Sequence, residues 1–151
     1  MHSTLATTLA LSISFGFACG RSQRPAVARP NSSDSSIVDL RKPTIIAYFV
    51  VTQAEADSSD AIATVLDDFQ YSLDRARPHL EKQGLQVIET YRDSVRLAWP
   101  DGREQTYRTA DSDSTRVGYH FFKPGATPIS IGHVMTDSDL FDEAAGYFGW
   151  R

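Results

Sequence analysis

The run T-I-I-A-Y-F-V-V-T at residues 44–52 decides the fold that this sequence predicts. Residues 44–51 are all apolar or strand-favouring, and they lack the alternation of apolar and polar positions that marks a strand with one solvated face. Such an uninterrupted run is typical of a strand covered on both faces, which lies inside a sheet. Pro43 precedes it and the polar segment 53–60 follows it, so we expect these residues to delimit a central strand.

A helix is predicted after this strand and its following loop. Ser or Asp at residues 58–60 can cap the helix N-terminus. Apolar residues then recur three and four residues apart as far as Leu80, which gives one core-facing stripe. Gly84 is a natural residue to follow the helix. Pro78 predicts a kink or break just before it, because its ring removes one helix hydrogen bond.

Further strands and a second helix complete the predicted order. The strands are expected at residues 37–40, 85–91, 94–99, 104–108, 117–122 and 129–134, and the helix at residues 138–148. Pro100, Asp101 and Gly102 predict the turn of a β-hairpin. Thr136, three residues before Asp139, fits a helix cap. The alternation of strand, helix and strand predicts an α/β fold with a mixed sheet and a right-handed crossover.

Two short motifs in this order resemble a known family. Residues 42–49, K-P-T-I-I-A-Y-F, resemble the opening of secreted thioredoxin-like and peroxiredoxin-like proteins. Residues 121–125, F-F-K-P-G, resemble the turn between the last two strands of that family, and Gly132 fits the next strand. The resemblance, over about residues 41–148, implies a thioredoxin-like βαβ-ββα fold with an inserted β-hairpin. A simpler α/β module without a parallel strand pair is the alternative.

The resemblance ends at the residues that carry the chemistry of the family. Thioredoxins have Cys-x-x-Cys after the first central strand, whereas residues 51–57 of this chain are V-T-Q-A-E-A-D. Thioredoxins also have a cis-proline where this chain has Val117. Because disulfide exchange requires a thiolate, we expect neither thiol–disulfide oxidoreductase nor peroxidase activity.

The N-terminal residues predict export of the protein. Residues 1–18 contain no Lys, Arg, Asp or Glu and carry an apolar run that suits the h-region of a signal peptide. Cys19, the single cysteine, follows directly, and F-A-C-G at residues 17–20 resembles the lipobox of bacterial lipoproteins, although Gly16 and Phe17 depart from it. The resemblance implies lipidation of Cys19. The alternative is cleavage at the small-x-small site of residues 26–28, which would remove the cysteine.

The residues after Cys19 predict a tether. Residues 19–36 are rich in Ser, Arg and Pro and have little to bury, so we expect a disordered linker ahead of a domain at residues 37–151. Lipidated Cys19 would then anchor the chain to a membrane. We expect a protein that is secreted across the inner membrane and is either periplasmic or anchored to the outer membrane.

The first candidate ligand-contact residues lie at the end of the central strand. These are Thr52, Gln53 and Glu55, and α/β proteins often bind their ligands at the carboxyl ends of strands. They support an alternative hypothesis, a non-thiol enzyme with its site at this position.

The second candidate ligand-contact residues are His120 and His133. A turn near Gly125 would place His120 opposite Ile131, and both histidines would then share one face of the sheet. Since no third ligand has a suitable spacing, we expect no metal, and we favour the interpretation of two partly buried histidines that are hydrogen-bonded at a sheet surface. Trp99, beside the hairpin turn, would indicate a further contact site if it is exposed.

Composition and motifs narrow the function classes. A net charge of −4 argues against a general nucleic-acid binder. The sequence has neither a phosphate-binding glycine loop nor a zinc-protease motif, and we expect no cofactor. Residues 111–114, D-S-D-S, lack the glycine and glutamate of a calcium loop and are predicted to be a solvated loop. We therefore expect a redox-inactive binding or assembly module of the cell envelope, with an unknown protein partner.

Overall fold

The described part of the chain folds into two mixed β-sheets and three helices. The computed structural model describes residues 37–110 and 116–150. The strands are β1 (Val38–Asp39), β2 (Thr44–Phe49), β3 (Gln86–Thr90), β4 (Ser94–Ala98), β5 (Glu104–Arg108), β6 (Val117–Phe122) and β7 (Ile129–Ile131). The helices are α1 (Gln53–Ser58), α2 (Asp60–Lys82) and α3 (Asp137–Phe148). The predicted signal peptide, Cys19 anchor, tether and acidic loop lie outside the described residues.

β2 lies inside a four-stranded sheet of order β3-β2-β6-β7. It pairs in parallel with β3 and antiparallel with β6, so that Ile46 lies opposite Ile88 on one side and His120 on the other. All six residues of β2 are buried, which confirms the predicted interior strand. The parallel pair of β2 and β3, with α2 between them in the chain, confirms the βαβ unit.

The predicted hairpin forms, but its strands belong to a second sheet. This sheet has the order β1-β4-β5, in which β1 pairs in parallel with β4. Side chains of the second sheet meet the first sheet in one apolar cluster, whose buried members are Val38, Leu40, Ile46, Leu97 and Phe122. The second sheet therefore covers one face of the first.

β2 contributes alternate side chains to two cores. Ile46 faces the second sheet, whereas Ile45, Ala47 and Phe49 belong to a larger cluster with residues of the helices. The helix residues of that cluster include Leu66, Phe69, Leu73, Leu80, Leu140 and Phe148. Burying each large apolar side chain stabilises the fold by roughly 1.5–3 kcal/mol relative to its exposure. Helices on one face and a sheet on the other thus account for the uninterrupted apolar run.

The capping residues of α2 and α3 are the ones that the sequence predicts. Ser59 caps α2, with the N–H of Ile62 donating to its Oγ at 3.3 Å. Gly84 follows that helix at a φ of 84°, and Thr136 caps α3 as expected. No helix in the described ranges is long and apolar enough to cross a membrane.

The largest differences from the predicted boundaries lie at residues 53–58 and at the end of β7, and the break that Pro78 could have caused does not occur. Residues 53–58 were expected to be a loop but form α1, because Thr52 caps this short segment. α2 is not broken at Pro78, and the carbonyl that proline leaves unpaired belongs to Asp74, an exposed residue that water can reach. β7 ends at Ile131 instead of reaching residue 134.

At Gly118, β6 lies so close to its neighbours that no space remains for a side chain. A Cβ at this position would lie 2.0 Å from the carbonyl oxygen of Ile131 and 2.9 Å from the hydroxyl of Tyr48. We expect Gly118→Ala to lower the free energy of unfolding by about 3 kcal/mol, because the backbone carbonyl of Ile131 must move to make room for the added methyl group. Urea unfolding measures this loss.

Gly146→Ala is the matched control for that substitution. Gly146 lies inside α3, and a Cβ there meets nothing within 4 Å. Replacing it should raise the free energy of unfolding by about 1 kcal/mol, through helix propensity alone. Equal unfolding free energies for the two variants would contradict the close approach at Gly118.

Candidate functional site

The C-terminal end of β2 leads into α1, and Thr52 lies at the junction. The Thr52 hydroxyl accepts the backbone N–H of Glu55 at 3.2 Å, and the Glu55 carboxylate accepts the backbone N–H of Thr52 at 2.9 Å. The two residues form a reciprocal capping box. Thr52 Oγ1 also lies 2.9 Å from Glu55 Oε2. The predicted pair of Thr52 and Glu55 is therefore brought together, and Gln53 begins the helix beside them.

Arg116 joins a distant segment to this helix end. Its Nη1 donates to Glu55 Oε1 at 2.7 Å, and its carbonyl accepts the N–H of Val50 at 2.6 Å. Arg116 was not among the residues that we predicted for this site. No local sequence pattern indicates this contact: the register places Val117 opposite Phe49, and that strand pairing brings the residue just before β6 beside the end of β2.

These contacts hold Glu55 in its charged form. They lower its pKa from 4.5 to about 2, first through the backbone N–H of Thr52 and then through the Arg116 guanidinium and the Thr52 hydroxyl. A carboxylate with so low a pKa is a weak base near neutral pH. Both of its oxygens are also engaged. The arrangement fits a fixed helix cap better than a proton acceptor.

The lowered pKa of Glu55 makes the helix cap sensitive to acid. Because the folded-state pKa lies below the unfolded value, the charged group contributes stability above about pH 4.5, and this contribution is lost as the pH falls towards about 2. We expect Glu55→Gln to lower the melting temperature at pH 7, and the difference from wild type to shrink between pH 4.5 and 2. Thermal unfolding followed by circular dichroism across this range measures it.

Glu81→Gln, on an exposed position of α2, controls for the loss of a surface carboxylate. A melting-temperature difference for Glu55→Gln that stays constant from pH 7 to pH 2 would contradict the assigned cap.

His120 lies buried between the two sheets, only 5% exposed. Its ring stacks on Tyr48 with centroids 4.8 Å apart. Nδ1 lies 2.7 Å from Ser130 Oγ, and Nε2 lies 2.6 Å from the carbonyl oxygen of Thr109. Since a carbonyl can only accept, Nε2 carries a hydrogen and donates it. His120 therefore ties β6 to the residue that follows β5, which is a structural role.

The predicted placement of His120 and His133 on one sheet face is wrong. β6 and β7 pair with His120 opposite Ser130 instead of Ile131. The turn is centred on Gly125, which has a φ of 77°, and the resulting shift of one residue reverses the face of every β7 side chain. His133 lies beyond β7 and is exposed.

Two clefts border α3. The first, of about 260 Å³, lies against α2 and is crossed by an ion pair of Arg75 and Asp137 at 3.1 Å. The second, of about 480 Å³, includes His133, Thr136, Asp139 and Glu143 in its lining. Across the described ranges, no three His, Cys, Asp or Glu side chains form a group that could hold a metal ion. Acidic side chains line both clefts, and among the described residues neither cleft contains such a metal-binding group.

Trp99 packs inward from the hairpin. Its ring meets Phe122 edge to face, with centroids 6.2 Å apart, and it joins the cluster between the sheets. The hairpin therefore does not present this tryptophan as an exposed contact at its tip.

Comparison with known proteins adds no relative: no family model matches the chain, and no significant match occurs among the curated proteins or the solved structures.

Proposed function

We propose that this chain is a redox-inactive, thioredoxin-like binding or assembly module that lipidated Cys19 anchors to the cell envelope. The sheet order β3-β2-β6-β7 supports the thioredoxin-like fold in this proposal. In that sheet β2 and β3 are parallel, whereas β2 and β6, and β6 and β7, are antiparallel. Without β1 and the hairpin, and with α1 and α2 taken together as one crossover, the elements run βαβ and then ββα. That is the arrangement which the sequence resemblance implies.

The end of β2 supports a function without thiol chemistry. Thr52 caps α1 at the place where the resemblance puts the reactive cysteine of thioredoxins. Residues 37–151 contain no cysteine, so the proposed domain has no thiolate with which to attack a disulfide or a peroxide.

The alternative, a non-thiol enzyme using Thr52, Gln53 and Glu55, has less support. Thr52 and Glu55 bind one another, and Arg116 occupies the remaining Glu55 oxygen. A substrate would have to displace these contacts before it could use either group. Binding of a protein partner at another surface requires no such displacement.

Lipidation of Cys19 predicts a labelled, membrane-associated protein. In a bacterial host, the wild-type chain should incorporate radiolabelled palmitate and fractionate with membranes, because an acyl chain adds about 0.8 kcal/mol of membrane affinity for each buried CH₂. The variant Cys19→Ser should lose both properties. The matched control Cys19→Ser/Ser22→Cys keeps one thiol but moves it out of the lipobox, and it should behave like Cys19→Ser.

Mass spectrometry of the mature N-terminus decides between lipidation and later cleavage. An unlipidated chain that begins at residue 29 would contradict the anchor and leave the proposed domain untouched.

Restoring the missing cysteines tests the thioredoxin-like fold. Thr52→Cys/Glu55→Cys, in a chain that also carries Cys19→Ser, creates Cys-x-x-Cys at the N-terminus of α1. Thr52 and Glu55 already touch, and a helix N-terminus lowers the pKa of a thiol. We expect a reversible disulfide and measurable dithiothreitol-dependent reduction of insulin, whereas the parent chain should show none.

Thr52→Cys/Ser58→Cys is the control, with its cysteines at opposite ends of α1. It should form no internal disulfide and show no reductase activity. A Thr52→Cys/Glu55→Cys variant that folds but forms no internal disulfide would contradict the thioredoxin-like assignment of the junction between β2 and α1.

A further inference from the structure

β5 is the outer strand of the second sheet and the most exposed strand in the described ranges. It pairs with β4 on one side, and the sheet ends there. Four of its five residues are exposed, and only Tyr107 is half-buried, against His120 and Phe122. An edge strand of this kind can pair with another strand through its free backbone groups.

The backbone of β5 alternates between its partner strand and the outside. The N–H of Trp99 donates to the Arg103 carbonyl, and the N–H of Thr109 donates to the Asp93 carbonyl. Along an antiparallel ladder, hydrogen-bonded pairs occur at every second residue, so Gln105 and Tyr107 direct their peptide groups to β4.

The intervening residues Glu104, Thr106 and Arg108 direct their N–H and C=O groups outward. In the described ranges, no strand pairs with this edge.

The side chains of β5 are complementary to those of a second, antiparallel β5. In a pairing centred on Thr106, Glu104 of each copy lies opposite Arg108 of the other, and the two Thr106 residues face each other. This register also brings the outward peptide groups of one strand against those of the other. Opposite charges and Thr–Thr pairs directly across strands are both stabilising.

We propose that β5 docks on β5 of a second copy of this chain about a two-fold axis, joining two three-stranded sheets into one of six strands. Arg96 already binds Glu104 Oε2 at 2.7 Å, and a carboxylate can accept a second arginine through its other oxygen. The occupant is a second copy because the recognition is self-complementary.

The other strand edges do not share these properties. β1 has two residues and β7 has three, too few for a comparable ladder. β3 has five, but a two-fold pairing about Ile88 would oppose Val87 to Glu89, and Arg77 already holds Glu89 at 3.1 Å. β5 alone among the described strands combines length, exposure and matching charge.

Sedimentation velocity on the full chain carrying Cys19→Ser tests the pairing. We expect a reversible dimer that Glu104→Arg weakens at least about tenfold, because it places two arginines opposite each other at both ends of the ladder. The double variant Glu104→Arg/Arg108→Glu should restore the dimer. Both variants put an arginine beside Arg96 of the same chain, so restoration isolates the contact between copies.

Arg96→Gln is the control, since it removes the ion pair within one chain and should leave the dimer intact. Circular dichroism confirms that each variant is folded. A chain that is monomeric at all concentrations, a dimer unaffected by Glu104→Arg, or a double variant as weak as the single one would overturn the proposal.

Discussion

Burial of β2 on both faces is the constraint from which the rest of the structure follows. Its peptide groups are paired on both sides, by β3 and by β6. Its side chains alternate between two faces, so each face requires its own apolar cover. α2 and α3 cover one face and the β1-β4-β5 sheet covers the other. Removing either cover would expose Ile45 and Phe49 on one side or Ile46 on the other.

The β4–β5 hairpin is therefore part of the layer that covers one face of the first sheet. Leu97 is fully buried against the first sheet, and Trp99 packs beside it. His120 adds a hydrogen bond to the Thr109 carbonyl at 2.6 Å, and this bond pairs two buried polar groups. The inner face of the hairpin packs against the first sheet. The free edge of its outer strand, β5, faces away from β4, where solvent or another chain can contact it.

The C-terminal end of β2 is a position where α/β proteins often bind ligands, but in this chain its residues form the N-terminal cap of α1. The N–H groups at a helix N-terminus can receive an anion. Here the Glu55 carboxylate and the Thr52 hydroxyl occupy that position, and Arg116 balances the charge. The groups that suggest a site in the sequence are thus bound to one another, and they hold the start of α1 in place.

Most elements could be predicted from the sequence because their signals are local. The unbroken apolar run identified β2, and helical spacing identified α2. Thr136 marked the start of α3, and the capping residues at 58–60, of which Ser59 is the cap, marked the start of α2. Only the tertiary structure decided the relations between distant segments. The one-residue shift that separates His120 from His133, the approach of Arg116 to Glu55 and the transfer of the hairpin to a second sheet all depend on how strands align in space. A local pattern of apolar residues determines whether a segment forms a helix or a strand. The register of a strand and the identity of its neighbouring strands depend on packing between segments that are distant in the chain.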